Sequence, residues 1–181
     1  MCSRLERSGV LGQHVWLVLD GPLPFERRST RGIGRAWYLF AGDQSLLKES
    51  METSGRFVLD VLDRAVLQYP VDPARVSLLG FSQGGYLASV IAGRNHSRFK
   101  AAACIGGRLK HEFFQPASGA VPDFLQIHGS ADASVSPELA KKAADATREQ
   151  GFRVEVHIEE GTGHDMTPTM VQRFVEWERG L

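Results

Sequence analysis

The chain has 181 residues, 43% of them apolar and 23% charged, which is enough apolar residue for a core and places it in the range of one domain, residues 1–181. Twenty-one Lys and Arg balance 21 Asp and Glu, so bulk charge is excluded as a way of holding nucleic acid or an anionic membrane. The two cysteines, Cys2 and Cys104, are too few for a disulfide framework or a Cys-based zinc site.

No apolar run reaches the roughly 18 residues that span a bilayer. The opening MCSRLERSGVLG carries charge where a signal peptide needs an apolar stretch, so a cytoplasmic protein is expected. The first strand is predicted at Val15–Leu19. A helix follows over Ser45–Tyr69, where Leu47, Met51, Val58, Leu62, Ala65 and Tyr69 recur at mostly three- and four-residue spacing until Pro70. Val76–Leu79 is a second strand and Gln83–Gly93 a second helix. Strands at Ala101–Ile105 and Phe124–His128 come next. Ser136 then Pro137 reads as an N-cap and first helical position, with Gly151 at the far end. Val154–Ile158 alternates apolar and polar residues, as a strand with one wet face does at a sheet edge. Thr167–Pro168 opens the last helix, with Phe174 and Val175 on its buried side. Strands alternating with helices give an α/β fold, a mainly parallel sheet flanked by helices on both faces. Its strand-to-helix loops then share one edge, where sites of such sheets gather.

Gly80-Phe81-Ser82-Gln83-Gly84-Gly85 follows the strand at Val76 directly and matches Gly-x-Ser-x-Gly. A Ser on a strained strand-to-helix turn needs small neighbours, which Gly80 and Gly84 supply, while Gly85 lets the helix approach the sheet. The turn also aims the backbone N–H of Gln83 toward an oxyanion. A nucleophilic Ser needs a base, and the base an orienting acid. Asp132 and His164 each lie beyond a strand C-terminal end, on the same edge as Ser82 and in the chain order Ser, Asp, His. Asp123 precedes its strand and should lie at the wrong edge. Asp165 is adjacent to His164 and poorly placed to reach its ring. His128, at a strand end near the site, reads as a packing or turn residue. His14, His96, His111 and His157 carry weaker signals still. No His pair has HExxH spacing, so no metal is expected. Gly32-Ile33-Gly34 has Trp37 at the third glycine position and no strand before it, which excludes a dinucleotide site.

GFSQGG, HGSADASVS and GTGHDM, in that order, resemble the α/β-hydrolase fold and, within it, the phospholipase/carboxylesterase branch that includes acyl-protein thioesterases and lysophospholipases. LDGPLP followed by GRAWYLF adds a fourth match, so the resemblance runs from about Val15 to the C-terminus. It implies cofactor-free hydrolysis of carboxylic esters or thioesters of small to medium acyl groups through an acyl-enzyme. It also implies Ser82 as nucleophile, His164 as base and then acid, Asp132 as orienter, and the Gln83 N–H as oxyanion donor. The loop Gly21–Trp37 would border the acyl pocket, with Phe25 and Trp37 lining it or simply packing. Members of the branch carry an earlier central strand ending in a His-Gly-x-Gly type loop that supplies a second oxyanion N–H. That loop is not visible here, and residues 1–14 stand in its place without a strand pattern. The expectation is therefore an N-terminally shortened α/β hydrolase. Either the strands at Val15 and Val76 close up and pair, or the chain is a shortened form of a longer protein. Loss of one oxyanion donor costs about 10²–10³ in rate. A catalytically weak or inactive hydrolase-like interaction domain is accordingly the alternative. A dienelactone-hydrolase-like enzyme is a second alternative, which the Ser nucleophile argues against. Homo-oligomerisation stays open, since an exposed strand edge or apolar cleft favours self-association. A histidine base predicts activity that rises through about pH 6–8, where an ordinary histidine loses its proton.

Overall fold

A computed structural model describes residues 14–27 and 32–181. They divide into two units, one holding Val71–Leu181 with the segment up to Trp16, the other Leu17–Pro70.

The first unit is built on four parallel strands, β3 (Ser77–Phe81), β4 (Ala101–Ile105), β5 (Asp123–Gly129) and β6 (Val154–Glu159), in that spatial order. Helix α2 (Gln83–Arg94) links β3 to β4, α3 (Pro137–Glu149) links β5 to β6, and α4 (Pro168–Arg179) follows β6. The pleat sends alternate residues to opposite faces. Ala101, Ala103, Ile105, Leu125 and Ile127 pack with Met170, Val171, Phe174 and Val175 of α4. Cys104, on the opposite face, meets Gly85 of α2. The sheet therefore carries helices on both faces, and every residue of β4 and β5 is buried. Burying each large side chain of this kind is worth roughly 1.5–3 kcal/mol. Among the described residues strand β6 ends the sheet order, and only Val154 in it is buried.

The caps follow the sequence. Ser136 Oγ accepts the N–H of Leu139, and Thr167 Oγ1 accepts that of Met170, with Pro in the first turn of each helix. Gly151, at φ +92°, takes the left-handed conformation just past α3.

At the start of β3 and the end of α4, Glu178 is nearly buried. It receives the Lys100 ammonium at 3.2 Å and the Ser77 hydroxyl at 3.3 Å. Burial alone would raise its carboxyl, but Lys100, Ser77 and His14 outweigh burial and hold it below the ordinary glutamate range. A depressed folded-state pKa contributes stability above the unfolded value, about pH 4.3. That contribution is lost as pH falls through the folded value. Glu178→Gln is expected to lower Tm at pH 7 and to flatten the loss of stability below about pH 4, read by thermal melts across pH. Equal slopes in the two proteins would contradict this role.

The second unit pairs β1 (Leu23–Arg27) with β2 (Gly32–Ala36) as an antiparallel hairpin and adds the long helix α1 (Gln44–Gln68). Asp43 caps α1 by accepting the N–H groups of Ser45 at 2.7 Å and Leu46 at 2.9 Å. Leu47, Met51, Ser54, Gly55, Val58 and Ala65 form its buried stripe. The Ser54 hydroxyl donates to the Trp37 carbonyl, and the Leu39 N–H to Ser50 Oγ, tying the helix to the chain after β2.

Two sequence expectations are corrected in this region. Val15–Leu19 forms no ladder, and Val15 and Leu17 are exposed. Its β-branched, apolar composition suits a strand, but a strand also requires a partner, which composition does not supply. The segment Gly21–Trp37, read as a loop, contains the hairpin instead. The expectation attached to residues 1–14 falls, apart from His14, outside the described residues. Among the described residues no helix is long and apolar enough to cross a membrane.

Candidate active site

Strand β3 delivers the chain to Ser82, which sits at φ 51°, ψ −120° between β3 and α2. It is the only described non-glycine residue with positive φ, and such strain persists where the surroundings over-determine it. The turn needs glycine on both flanks of the crossing. A Cβ on Gly80 would lie 2.1 Å from the Gly84 carbonyl oxygen, and one on Gly85 2.7 Å from Cys104 Sγ. The Ser82 N–H donates to the Ile105 carbonyl at 2.8 Å, and the Ser82 carbonyl accepts the N–H groups of Gly85 and Tyr86. This strand-to-helix turn is thus anchored to β4 on one side and to the first turn of α2 on the other. Gln83 is the first residue of α2, so its backbone belongs to the positive end of that helix.

The loops after β5 and β6 bring two more side chains to this edge. The Ser82 hydroxyl donates to His164 Nε2 at 3.1 Å, and His164 Nδ1–H donates to Asp132 Oδ2 at 2.8 Å. The Phe81 ring lies 5.0 Å from the imidazole, centroid to centroid. Asp132 has a fully buried carboxylate, while His164 keeps 26% of its side chain exposed. Burial acts to raise the Asp132 carboxyl. The N–H groups of Val135 and Ser134 on Oδ1, with the His164 ring on Oδ2, outweigh burial and hold it below the usual carboxylate range. It is an anion that cannot easily move and that orients the imidazole. A hydroxyl, an imidazole that can take its proton, and a fixed carboxylate behind the ring form the arrangement that activates an oxygen nucleophile.

The competing acids lie elsewhere. Asp123 is at the N-terminal end of β5, paired with Arg153 at 2.6 and 2.7 Å. Asp165 Oδ1 accepts the N–H of Met166. Phe25 and Trp37 belong to the second unit. Phe25 stands in β1 opposite Gly34 and is exposed, and Trp37 follows β2, half-buried. The sequence reads His128 as a packing or turn residue and gives no role to Gln126; both lie behind Asp132. Their only signal was a His four residues before the acid.

Residues 29–177 match the profile of the phospholipase/carboxylesterase family. The chain belongs to this family. Among its relatives, mouse (Mus musculus) lysophospholipase-like protein 1 is 23% identical over 134 residues, which are 71% of the chain and 56% of that protein. The chain therefore spans little more than half the length of this curated relative. Among solved structures, a variant of Arabidopsis thaliana SOBER1 superposes with a TM-score of 0.71 at 20% identity, covering 99% of this chain and 89% of that one. The Bacillus cereus carboxylesterase superposes at 0.72 with 18% identity, over 89% and 73% of the two chains. Zea mays acyl-protein thioesterase 2 superposes at 0.62 with 21% identity, over 82% and 73%. These likenesses establish the phospholipase/carboxylesterase fold for the chain, an α/β-hydrolase architecture.

Proposed function

We propose that the chain is a serine hydrolase that cleaves carboxylic esters or thioesters of small to medium acyl groups through an acyl-enzyme. The observation that carries this reading is the unbroken contact from Ser82 Oγ through His164 to the buried Asp132 carboxylate. Family membership supports the reaction class.

In the first half-reaction Ser82 Oγ attacks the acyl carbon while its proton passes to His164 Nε2. The carbonyl electrons move to oxygen, giving a tetrahedral oxyanion beside the N-terminus of α2, where the Gln83 N–H is the proposed donor. Collapse re-forms the carbonyl and breaks the bond to the alcohol or thiol, which leaves with the proton from His164. Water then attacks the acyl-enzyme, giving its proton to His164, and the acid departs as Ser82 recovers its hydrogen. Asp132 stays ionised throughout and stabilises the imidazolium formed in each half-reaction.

The purified chain is expected to hydrolyse p-nitrophenyl butyrate, followed as p-nitrophenolate release. A folded protein without turnover above buffer would favour the inactive-domain alternative.

A further inference from the structure

Behind the triad, on the opposite face of β5 from α4, lies a second histidine that the reaction above does not use. His128 is fully buried at the C-terminal end of β5. Its Nε2 is 2.9 Å from the carbonyl oxygen of Val135 and 3.2 Å from Asp132 Oδ2. Two acceptors at one ring nitrogen require a hydrogen there. The other nitrogen, Nδ1, faces the side-chain amide nitrogen of Gln126 at 3.4 Å. That amide is oriented independently of His128. Its nitrogen also reaches the carbonyls of Gly107 at 3.0 Å and Cys104 at 3.2 Å, both of which demand a donor. Those carbonyls and that of Ile127 at 3.4 Å compete for the two amide hydrogens, so the Gln126 nitrogen only borders Nδ1, and the two acceptors at Nε2 set His128 as the Nε2–H tautomer.

This ring grips the turn that carries the triad acid. Val135 donates its N–H to Asp132 Oδ1 at 2.9 Å and accepts the His128 N–H at its carbonyl. The same ring edge lies against Oδ2, the oxygen that receives His164. A buried carboxylate free to rotate would alternate its oxygens and release the imidazole, and misplacement by about 1 Å can cost about 100-fold in rate. We propose that His128, carrying its hydrogen on Nε2, is a positioning residue that fixes Asp132 through the Val135 carbonyl and the Oδ2 edge. The role rests on the serine-hydrolase reading, since Asp132 matters to rate only if His164 serves Ser82. His128 itself does not reach the reacting atoms, so the prediction is a loss in kcat with little change in KM.

The test is a double-mutant cycle on p-nitrophenyl butyrate hydrolysis. His128→Met removes the donor at similar volume, and His128→Gln keeps an N–H near the position of Nε2. His128→Met is expected to lower kcat by about 10- to 100-fold at unchanged KM. His128→Gln is expected to recover most of that loss. In an Asp132→Asn background His128→Met should cost less than twofold, because the carboxylate it positions is gone. The same fold-loss in both backgrounds, or activity within twofold of wild type for folded His128→Met, would overturn the proposal. Should His128→Met fail to fold, the wild-type ring decides through its ¹⁵N chemical shifts. An Nε2–H tautomer supports the proposal and an Nδ1–H tautomer overturns it. Labelling of wild-type Ser82 by a fluorophosphonate, run beside the cycle, separates the two levels. Wild type without label fails the serine-hydrolase reading, whereas labelled wild type with an additive cycle fails His128 alone.

Discussion

Ser82→Ala is expected to reduce kcat for p-nitrophenyl butyrate by about 10⁶-fold while the protein folds normally. The size follows from how the site is built. Without Oγ there is no attacking atom held against the acyl carbon and nothing for His164 to deprotonate. What survives is any oxyanion stabilisation near α2 and substrate binding, together worth about 10³–10⁴ over water in such sites. Binding is expected to change little, because the hydroxyl contributes mainly once the bond begins to form. Folding is expected to be unharmed for a structural reason. The contacts that hold Ser82 in its left-handed backbone are main-chain bonds to Ile105, Gly85 and Tyr86, and alanine keeps all of them. Alanine does not relieve the positive φ, so Tm should lie within a few degrees of wild type. Activity within tenfold of wild type would remove Ser82 from the mechanism.

The second large effect is expected at Asp132. Asp132→Asn should lower kcat by about 10⁴-fold with a smaller loss of stability than Asp132→Ala. The turn decides which way the new amide points. Oδ1 of the carboxylate accepts the N–H groups of Ser134 and Val135, so the amide oxygen of Asn must take that place. The amide NH₂ is then forced to the position of Oδ2, against His164 Nδ1 and the His128 N–H. Two donors cannot face each other, so the imidazole either moves its hydrogen to Nε2 or turns away. In both cases Nε2 no longer accepts the Ser82 proton. An alanine at the same position removes the acceptor of both turn N–H groups, and it should destabilise the protein more than Asn does. Measured kcat and Tm for the two variants separate the orienting role from the structural one. Equal Tm for both would count against the turn as the anchor.

The parts of this molecule that could be read from the chain are those set by local rules. Gly80, Ser82 and Gly85 carry the strand-to-helix turn because a Cβ on either glycine would collide with backbone or with Cys104, and that requirement is written into adjacent residues. The two caps at Ser136 and Thr167 are equally local. Asp132 and His164 could be placed on the correct edge because a parallel sheet puts both strand ends there. The hairpin could not. Pro24, Gly32 and Gly34 are poor strand formers, and their pairing depends on register across the chain rather than on either segment. Val15–Leu19 failed in the opposite sense, having strand composition and no ladder. His128 was visible as a histidine near the acid, but its contact with Val135 and Gln126 depends on how β5 and the following turn meet. One buried histidine at a strand end gives no hint of which nitrogen holds the hydrogen.

The central claim is that Ser82 is the nucleophile activated by His164. A fluorophosphonate probe tests it most directly, because it bonds only to an oxygen made nucleophilic by its surroundings. Incubation of the purified chain followed by intact-mass measurement and peptide mapping is expected to show one adduct per chain, on Ser82. The adduct should be lost in Ser82→Ala and form far more slowly in His164→Ala. An unmodified wild-type protein, an adduct on another residue, or labelling of Ser82 at the same rate without His164 would contradict it.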